Sequence, residues 1–282
     1  MTAACARDRI RWSHRGENAL SGAAMISTAT AATPLTDDQI AREVALDAAA
    51  LLRRLGAPGG CPDADLRARG DREANALIID RLHTARPEDF ILSEESHDDG
   101  LRCAARRVWI VDPLDGTREF GERRDDWAVH IGLAIDGAPA IGAVALPAQD
   151  KVFVTDDPVP AFAPLPDRPR MLVSRTRAHA LVQSVAETIG AELVPMGSAG
   201  AKAMAVVEGH AEIYLHAGGQ YEWDNCAPVA VAAAAGLHTS RIDGSPLIYN
   251  CRDPLLPDLL ICRPEYAEAV LAAVAAWVPV EE

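Results

Sequence analysis

No apolar run in this sequence approaches the ~20 residues that a membrane-spanning helix needs. The Ala-rich stretches at 230–235 and 269–276 are short and sit in helical contexts, so no membrane partner is expected. No C-x-x-C pair occurs among the six cysteines, at 5, 61, 103, 226, 251 and 262. That absence argues against a thioredoxin-like redox motif and against a zinc ribbon. Few, irregularly spaced cysteines in a long chain indicate reduced thiols and a cytoplasmic setting. The histidines lack metal-ligand spacing, which sets aside a histidine zinc site. An excess of positive charge is also missing. The net charge of −14 repels phosphate backbones, so a nucleic-acid polymer is a poor partner. Small anionic substrates stay open, because a bound metal or a few local cations override the mean field. Residues 1–34 are rich in Ala, Thr, Ser and Arg but hold no apolar core of about 7–15 residues followed by a cleavage site. They read as a disordered extension, with Met25 an alternative start.

What remains is ample for a folded protein. Of 282 residues, 49% are apolar and 24% charged, enough for one large or two tightly joined domains. Thr36 and Gln39 form a capping-box pattern ahead of the helical stripe Ile40, Val44, Ala48, Leu51, Leu52 and Leu55, which Gly56 and Pro58 stop. A second helix is expected over Arg72 to Ala85. Strands follow: 90–92, 108–111, and a hairpin of 128–135 and 140–146 turned by Asp136-Gly137. Lys151–Thr155 is a further strand. Five prolines within 157–170 mark a boundary, dividing the chain into an α+β domain at 35–160 and an α/β domain at 168–282. The second part alternates: strands at 171–174, 192–194, 212–215 and 258–262, and helices at 178–189, 199–208, 223–235 and 265–277.

Carboxylates recur where strands end. Glu94 and Glu95 follow one apolar run, Asp112 and Asp115 another, and Asp224 opens a late helix. Hard oxygen ligands of this kind suit Mg²⁺. In Asp112-Pro113-Leu114-Asp115-Gly116-Thr117, Pro113 denies a helix and forces a turn. Such a turn can aim Asp112, the Leu114 carbonyl and Asp115 at one region, while Gly116 admits a ligand close to the backbone. A helix starting near Thr117 would offer free N–H groups to a phosphate. On residue types alone, the cluster could equally be solvated acidic turns. Lys202 could touch a substrate phosphate or solvate a surface, His216 could sit at a nucleotide site or be structural, and Arg118, Arg123 and Arg124 could steer anions or solvate a loop. Trp223 reads as packing rather than base stacking.

Three segments resemble the signatures of the inositol monophosphatase superfamily: Ser93-Glu94-Glu95-Ser96, the hexapeptide Asp112–Thr117, and Trp223-Asp224. They stand in that family's order, and the likeness spans residues 36–278. Gly197-Ser198-Ala199-Gly200-Ala201-Lys202, the 208–220 segment and Asp243-Gly244-Ser245-Pro246-Leu247-Ile248-Tyr249-Asn250 resemble its CysQ branch, the 3′(2′),5′-bisphosphate nucleotidases. Two positions depart from the family pattern. Arg69-Gly70 precede Asp71, with no lysine in 56–70 and Arg67 or Arg69 as the available substitutes, and His216 replaces a basic arginine.

The resemblance implies a layered αβαβα sandwich with the site between its two halves, and a homodimer. It implies two or three Mg²⁺: Glu94, Asp112 and the Leu114 carbonyl at one, Asp112, Asp115 and Asp224 at a second, and Glu94 with waters at a third. Leu114, Asp115, Gly116, Thr117, Lys202, His216 and Asp224 would meet the substrate. Asp71, just ahead of the second helix, would pair with Thr117 to deprotonate the attacking water, with Glu94 beside them. The expected activity is Mg²⁺-dependent, Li⁺-sensitive hydrolysis of the 3′-phosphate of 3′-phosphoadenosine 5′-phosphate (PAP) to AMP and phosphate, in sulfur assimilation and nucleotide recycling. Inositol monophosphatase or fructose-1,6-bisphosphatase activity is the alternative, and a non-catalytic nucleotide or metal sensor a second one.

Overall fold

Thr36 starts the first helix as the sequence predicts. Its Oγ1 accepts from the Gln39 N–H at 3.3 Å, and the Gln39 side chain accepts from the Thr36 N–H at 3.0 Å. In this computed structural model, which describes residues 34–59, 63–176 and 179–278, helix α1 runs Asp37–Gly56. It buries Ile40, Val44, Ala48, Leu52 and Leu55 on one face. The reading of 1–34 as disordered falls, Pro34 apart, on residues outside the described ones, as do Cys5, Gly60, Cys61 and the expected helix start at 178. Helix α2 begins at Asp63 rather than Arg72 and runs to Ala85. Gly70 does not break it. A Cβ there would meet Leu114 Cδ2 and Phe120 Cε1 at 2.9 Å each, so the missing side chain is what lets α2 lie against the acidic turn. Asp71 is therefore inside α2, not ahead of it.

The first sheet contains β1 (Phe90–Ser93), β2 (Arg107–Asp115), β3 (Ala128–Ile135), β4 (Ala138–Leu146) and β5 (Lys151–Val154), in that order. Strands β1 and β2 are parallel and the rest antiparallel. A short helix α3 (Thr117–Gly121) leaves the end of β2. Asp136 and Gly137, both at positive φ, make the predicted β3–β4 turn.

The proline-rich stretch leads from β5 to the second sheet. There the chain runs β6 (Arg170–Ser174), α4 (Ala180–Ile189), β7 (Glu192–Met196), α5 (Ala199–Val207), β8 (Ile213–Ala217), α6 (Glu222–Ala234), β9 (His238–Ser240), β10 (Asp258–Cys262) and α7 (Pro264–Ala276). The order is β7-β6-β8-β10-β9, with β10 antiparallel to both its neighbours. Strand β9, unforeseen in the sequence, is too short to show alternation.

Three cores hold five layers together. Trp109, Val111, Val129 and Ile131 pack against α1 and α2. Val108, Ile110 and Val144, from the other face of the same sheet, pack with α5, α6 and the Leu172, Tyr214 and Ile261 face of the second sheet. Met171, Val173, Ile213 and Leu260 then pack with α4 and α7. The alternation of buried faces is the period-2 pattern of strands covered on both sides. Helices, sheet, helices, sheet, helices: this is the αβαβα sandwich, and Leu35–Glu282 forms one compact unit.

Candidate active site

Asp112 and Asp115 stand three residues apart on β2, a spacing that points side chains to opposite faces of a regular strand. Against β3, however, the register runs from Asp112↔His130 to Asp115↔Ala128, so one extra residue is inserted in β2. Pro113, with no N–H for the ladder, sits within this bulge. The bulge turns both carboxylates toward one place, and Asp112 Oδ1 closes the turn by accepting the Leu114 N–H at 2.9 Å. Asp224 arrives from the first turn of α6, where its Oδ2 accepts the Tyr221 N–H at 2.6 Å. Carboxylate oxygens of Asp112, Asp115 and Asp224 all lie within 4.8 Å of one another. Glu94 follows β1, whose Ser93 is paired with Val111, so it leaves the sheet beside Asp112. Glu94 is exposed and is not one of the three clustered carboxylates.

So many carboxylates in one place repel each other, and burial with mutual repulsion raises their pKa values. Burial, followed by Asp115, Glu94 and Asp224, pushes Asp112 well above the ordinary carboxylate range. Asp224 rises to about 6 through burial and Asp115. Glu94 rises to about 7 through partial burial and the charges of Asp224, Glu95, Asp71 and Asp115. Three crowded carboxylates, one buried, one partly buried and one exposed at the rim, that are poor anions on their own are what a divalent cation would relieve, and the donor set is all oxygen. The residues present therefore fit a hard metal ion.

Asp115 behaves differently. Against the cost of burial it is held at about 2 by His130, Ser198 and the Gly200 N–H. All three address one oxygen: Oδ2 accepts the Ser198 hydroxyl and the Gly200 N–H at 2.7 Å, and His130 Nε2 stands 3.3 Å away. The other face of His130 is fixed too, with Nδ1 donating to the Trp223 carbonyl at 3.0 Å. One fully buried imidazole thus joins the β2 carboxylate to the α6 segment that carries Asp224. His130 was not singled out in the sequence, and Ser198 was noted only within the 197–202 segment, with no role assigned. A lone polar residue inside the apolar run 128–135 was the available signal for His130.

Thr117 Oγ1 lies 3.4 Å from Asp71 Oδ1 and 3.2 Å from the Leu114 carbonyl, so the single hydroxyl proton has two acceptors in reach. Burial and then Glu95 lift Asp71 to about 6. Gly116, between the acidic turn and α3, sits at φ +87, and a Cβ would meet Ser198 Cβ and Trp127 Cβ at 3.2 Å each. Only glycine adopts that turn without strain. Asp115, Gly116, Lys202 and Asp224 line a cleft of about 260 Å³. Lys202 lines it from beneath: buried, it donates to the carbonyls of Gly197 and Ser198 and lies 5.2 Å from the Tyr214 ring centroid. His216 is not in this cleft but in a neighbouring cavity.

The sequence profile of the inositol monophosphatase family matches residues 26–163 and 167–277. The chain belongs to the inositol monophosphatase family. Within it, the chain is 54% identical over 218 residues to a 3′-phosphoadenosine 5′-phosphate phosphatase of Mycobacterium tuberculosis, covering 74% of this chain and 82% of that protein. It is 34% identical over 197 residues to the 3′(2′),5′-bisphosphate nucleotidase CysQ of Escherichia coli, covering 66% of this chain and 80% of that one. The crystal structure of CysQ from Bacteroides thetaiotaomicron superposes with a TM-score of 0.70 at 26% identity, over 79% of this chain and 96% of that chain. The inositol monophosphatase II of Staphylococcus aureus shares the fold, with a TM-score of 0.71 at 19% identity over 84% of this chain and 95% of that chain.

Proposed function

We propose that this chain is a Mg²⁺-dependent phosphatase that removes the 3′-phosphate of PAP, giving AMP and phosphate. The observation that carries the chemistry is the convergence of Asp112, Asp115 and Asp224 within 4.8 Å on a bulged strand end, beside an Asp71–Thr117 pair. The substrate is proposed from the likeness to a 3′-phosphoadenosine 5′-phosphate phosphatase and to CysQ. Glu94, Asp112, the Leu114 carbonyl, Asp115 and Asp224 would hold two or three Mg²⁺. Bound Mg²⁺ supplies positive charge that neutralises the phosphate oxygens as the P–O bond breaks.

The protein's own part is positional and acid–base. Asp115 Oδ2 is pinned by the Ser198 hydroxyl and the Gly200 N–H, with His130 Nε2 beside it at 3.3 Å, which holds the carboxylate in one orientation. Asp112 is turned inward by its own bond to Leu114. Asp71 accepts a proton from the attacking water, relayed by the Thr117 hydroxyl. Its pKa of about 6 suits a base that must be ionised at neutral pH yet still attract a proton. The water oxygen bonds to phosphorus as the P–O3′ bond breaks, and the leaving 3′-oxygen takes up a proton from solvent water to become the 3′-hydroxyl of AMP.

Phosphate release from PAP, inositol 1-phosphate and fructose 1,6-bisphosphate under Mg²⁺ tests the reading. The expected result is a kcat/KM highest on PAP. A higher value on either of the others would replace the substrate and keep the phosphatase. Release from none of the three, with Mg²⁺ bound, would favour the non-catalytic sensor.

A further inference from the structure

Beside the catalytic cleft lies a larger cavity of about 780 Å³, and the two share Arg118, Ser174 and Thr176 in their walls. The larger cavity is amphipathic, with Val173, Val182 and Leu215 alongside His179 and His216. His216 is pushed down to about 4 by burial and by Lys202, and its Nε2 meets the Gly218 carbonyl at 3.2 Å. His179 Nδ1 accepts the Leu181 N–H at 3.2 Å, which fixes the orientation of the ring. A volume of this size and character suits a heterocycle and sugar rather than a second ion.

Three basic side chains, an arginine pair and a lysine, line the two spaces, and two are already engaged. Arg175 is held by Glu119 and Glu122, at 2.9 Å each. Lys202 is buried and donates to two backbone carbonyls. Arg118 is exposed, stands on the wall common to both spaces, and makes no side-chain hydrogen bond or ion pair with any described residue. In a chain of net charge −14, a guanidinium left without a carboxylate at the seam of two substrate-sized spaces is conspicuous. Its planar fork matches phosphate oxygens in a way that a point charge does not. The phosphate to be cleaved belongs with Asp112, Asp115 and Asp224. Arg118, one residue past Thr117, stands where a second anionic group of the same molecule passes from the cleft into the cavity.

We propose that Arg118 binds the phosphate that is not cleaved, and so makes the enzyme select nucleoside bisphosphates over monophosphates, with the base-bearing part of the substrate in the larger cavity. This rests on the phosphatase reading above and deepens its substrate assignment. The test compares phosphate release from PAP and from adenosine 3′-phosphate, in the wild-type chain and in Arg118→Ala and Arg118→Lys, with Mg²⁺ saturating. The ratio of the two kcat/KM values is expected to fall at least ~10-fold in Arg118→Ala, chiefly through KM on PAP, and less in Arg118→Lys. A ratio that is the same in wild type and Arg118→Ala overturns the proposal, whether or not both rates fall. Calorimetry without turnover gives a second readout. Binding of adenosine 5′-phosphate relative to adenosine should weaken at least ~10-fold in Arg118→Ala, and an unaltered ratio refutes the assignment. If the wild-type chain hydrolyses inositol 1-phosphate better than PAP, the substrate reading itself fails, an outcome distinct from a failure of Arg118.

Discussion

Asp224→Asn probes the charge crowding at the site without disturbing the helix that carries it. Asparagine keeps an oxygen to accept the Tyr221 N–H that opens α6. In the metal-free protein Asp224 has its pKa raised from 3.8 to about 6, mainly by burial and then by Asp115. An acid raised in the folded state costs the fold nothing below its unfolded pKa. The cost grows as pH climbs toward the folded pKa and is complete above it. At pH 7.5 the penalty is therefore fully present, and a shift of about 2 units corresponds to about 3 kcal/mol. For a chain of this length that is an upper bound of roughly 6–12 °C in Tm. In EDTA at pH 7.5, Asp224→Asn should melt higher than wild type, and the gap should close as pH falls from 6 toward 4. Adding Mg²⁺ should raise the wild-type Tm and raise the variant's much less, because the cation relieves a repulsion that the variant has already lost. Scanning calorimetry or dye-based melting reads all four states. A variant that melts lower than wild type in EDTA at pH 7.5 would refute the reasoning, since Asp224 would then be a satisfied structural acid.

With Mg²⁺ saturating, kcat should rise as pH climbs through about 6, following ionisation of Asp71, and Asp71→Asn should abolish that limb of the pH–rate profile along with most of the rate. His130→Gln should weaken Mg²⁺ binding by ~10-fold or more in calorimetry, because Asp115 Oδ2 loses a neighbour that fixes its orientation. Gly116→Ala forces a side chain into φ +87 against Trp127 and Ser198. It should cost about 1–2 kcal/mol in a denaturant titration and also lower kcat.

The clustered carboxylates were legible because turn formers and hard oxygen ligands are local signals. Pro113 and Gly116 announced a turn, and Asp112, Asp115 and Asp224 all reached one site. The helix stripe of α1 and the Asp136-Gly137 turn were readable for the same reason. The start of α2 was misplaced at Arg72: the helix begins at Asp63 and runs through Gly70, a contact residue that only the packing of Leu114 and Phe120 against α2 reveals. His130, Ser198 and Gly200 were hidden by distance. Their partner Asp115 lies 15, 83 and 85 positions away, and nothing in the spacing says that three elements meet at one oxygen. Lys202 reads in sequence as a surface cation or a phosphate contact. It is neither a solvated surface group nor a free one, because the turn at Gly197-Ser198 folds its carbonyls onto the ammonium.

The most direct test of the central claim is phosphate release from PAP by Asp112→Asn, purified and shown to be folded, at pH 7.5 with Mg²⁺. Asp112 is the most deeply buried of the three clustered carboxylates and serves no distant partner. If the cluster is the phosphatase centre, the rate should fall by at least ~1,000-fold, equivalent to about 4 kcal/mol of transition-state stabilisation. A variant that releases phosphate at the wild-type rate would contradict the account.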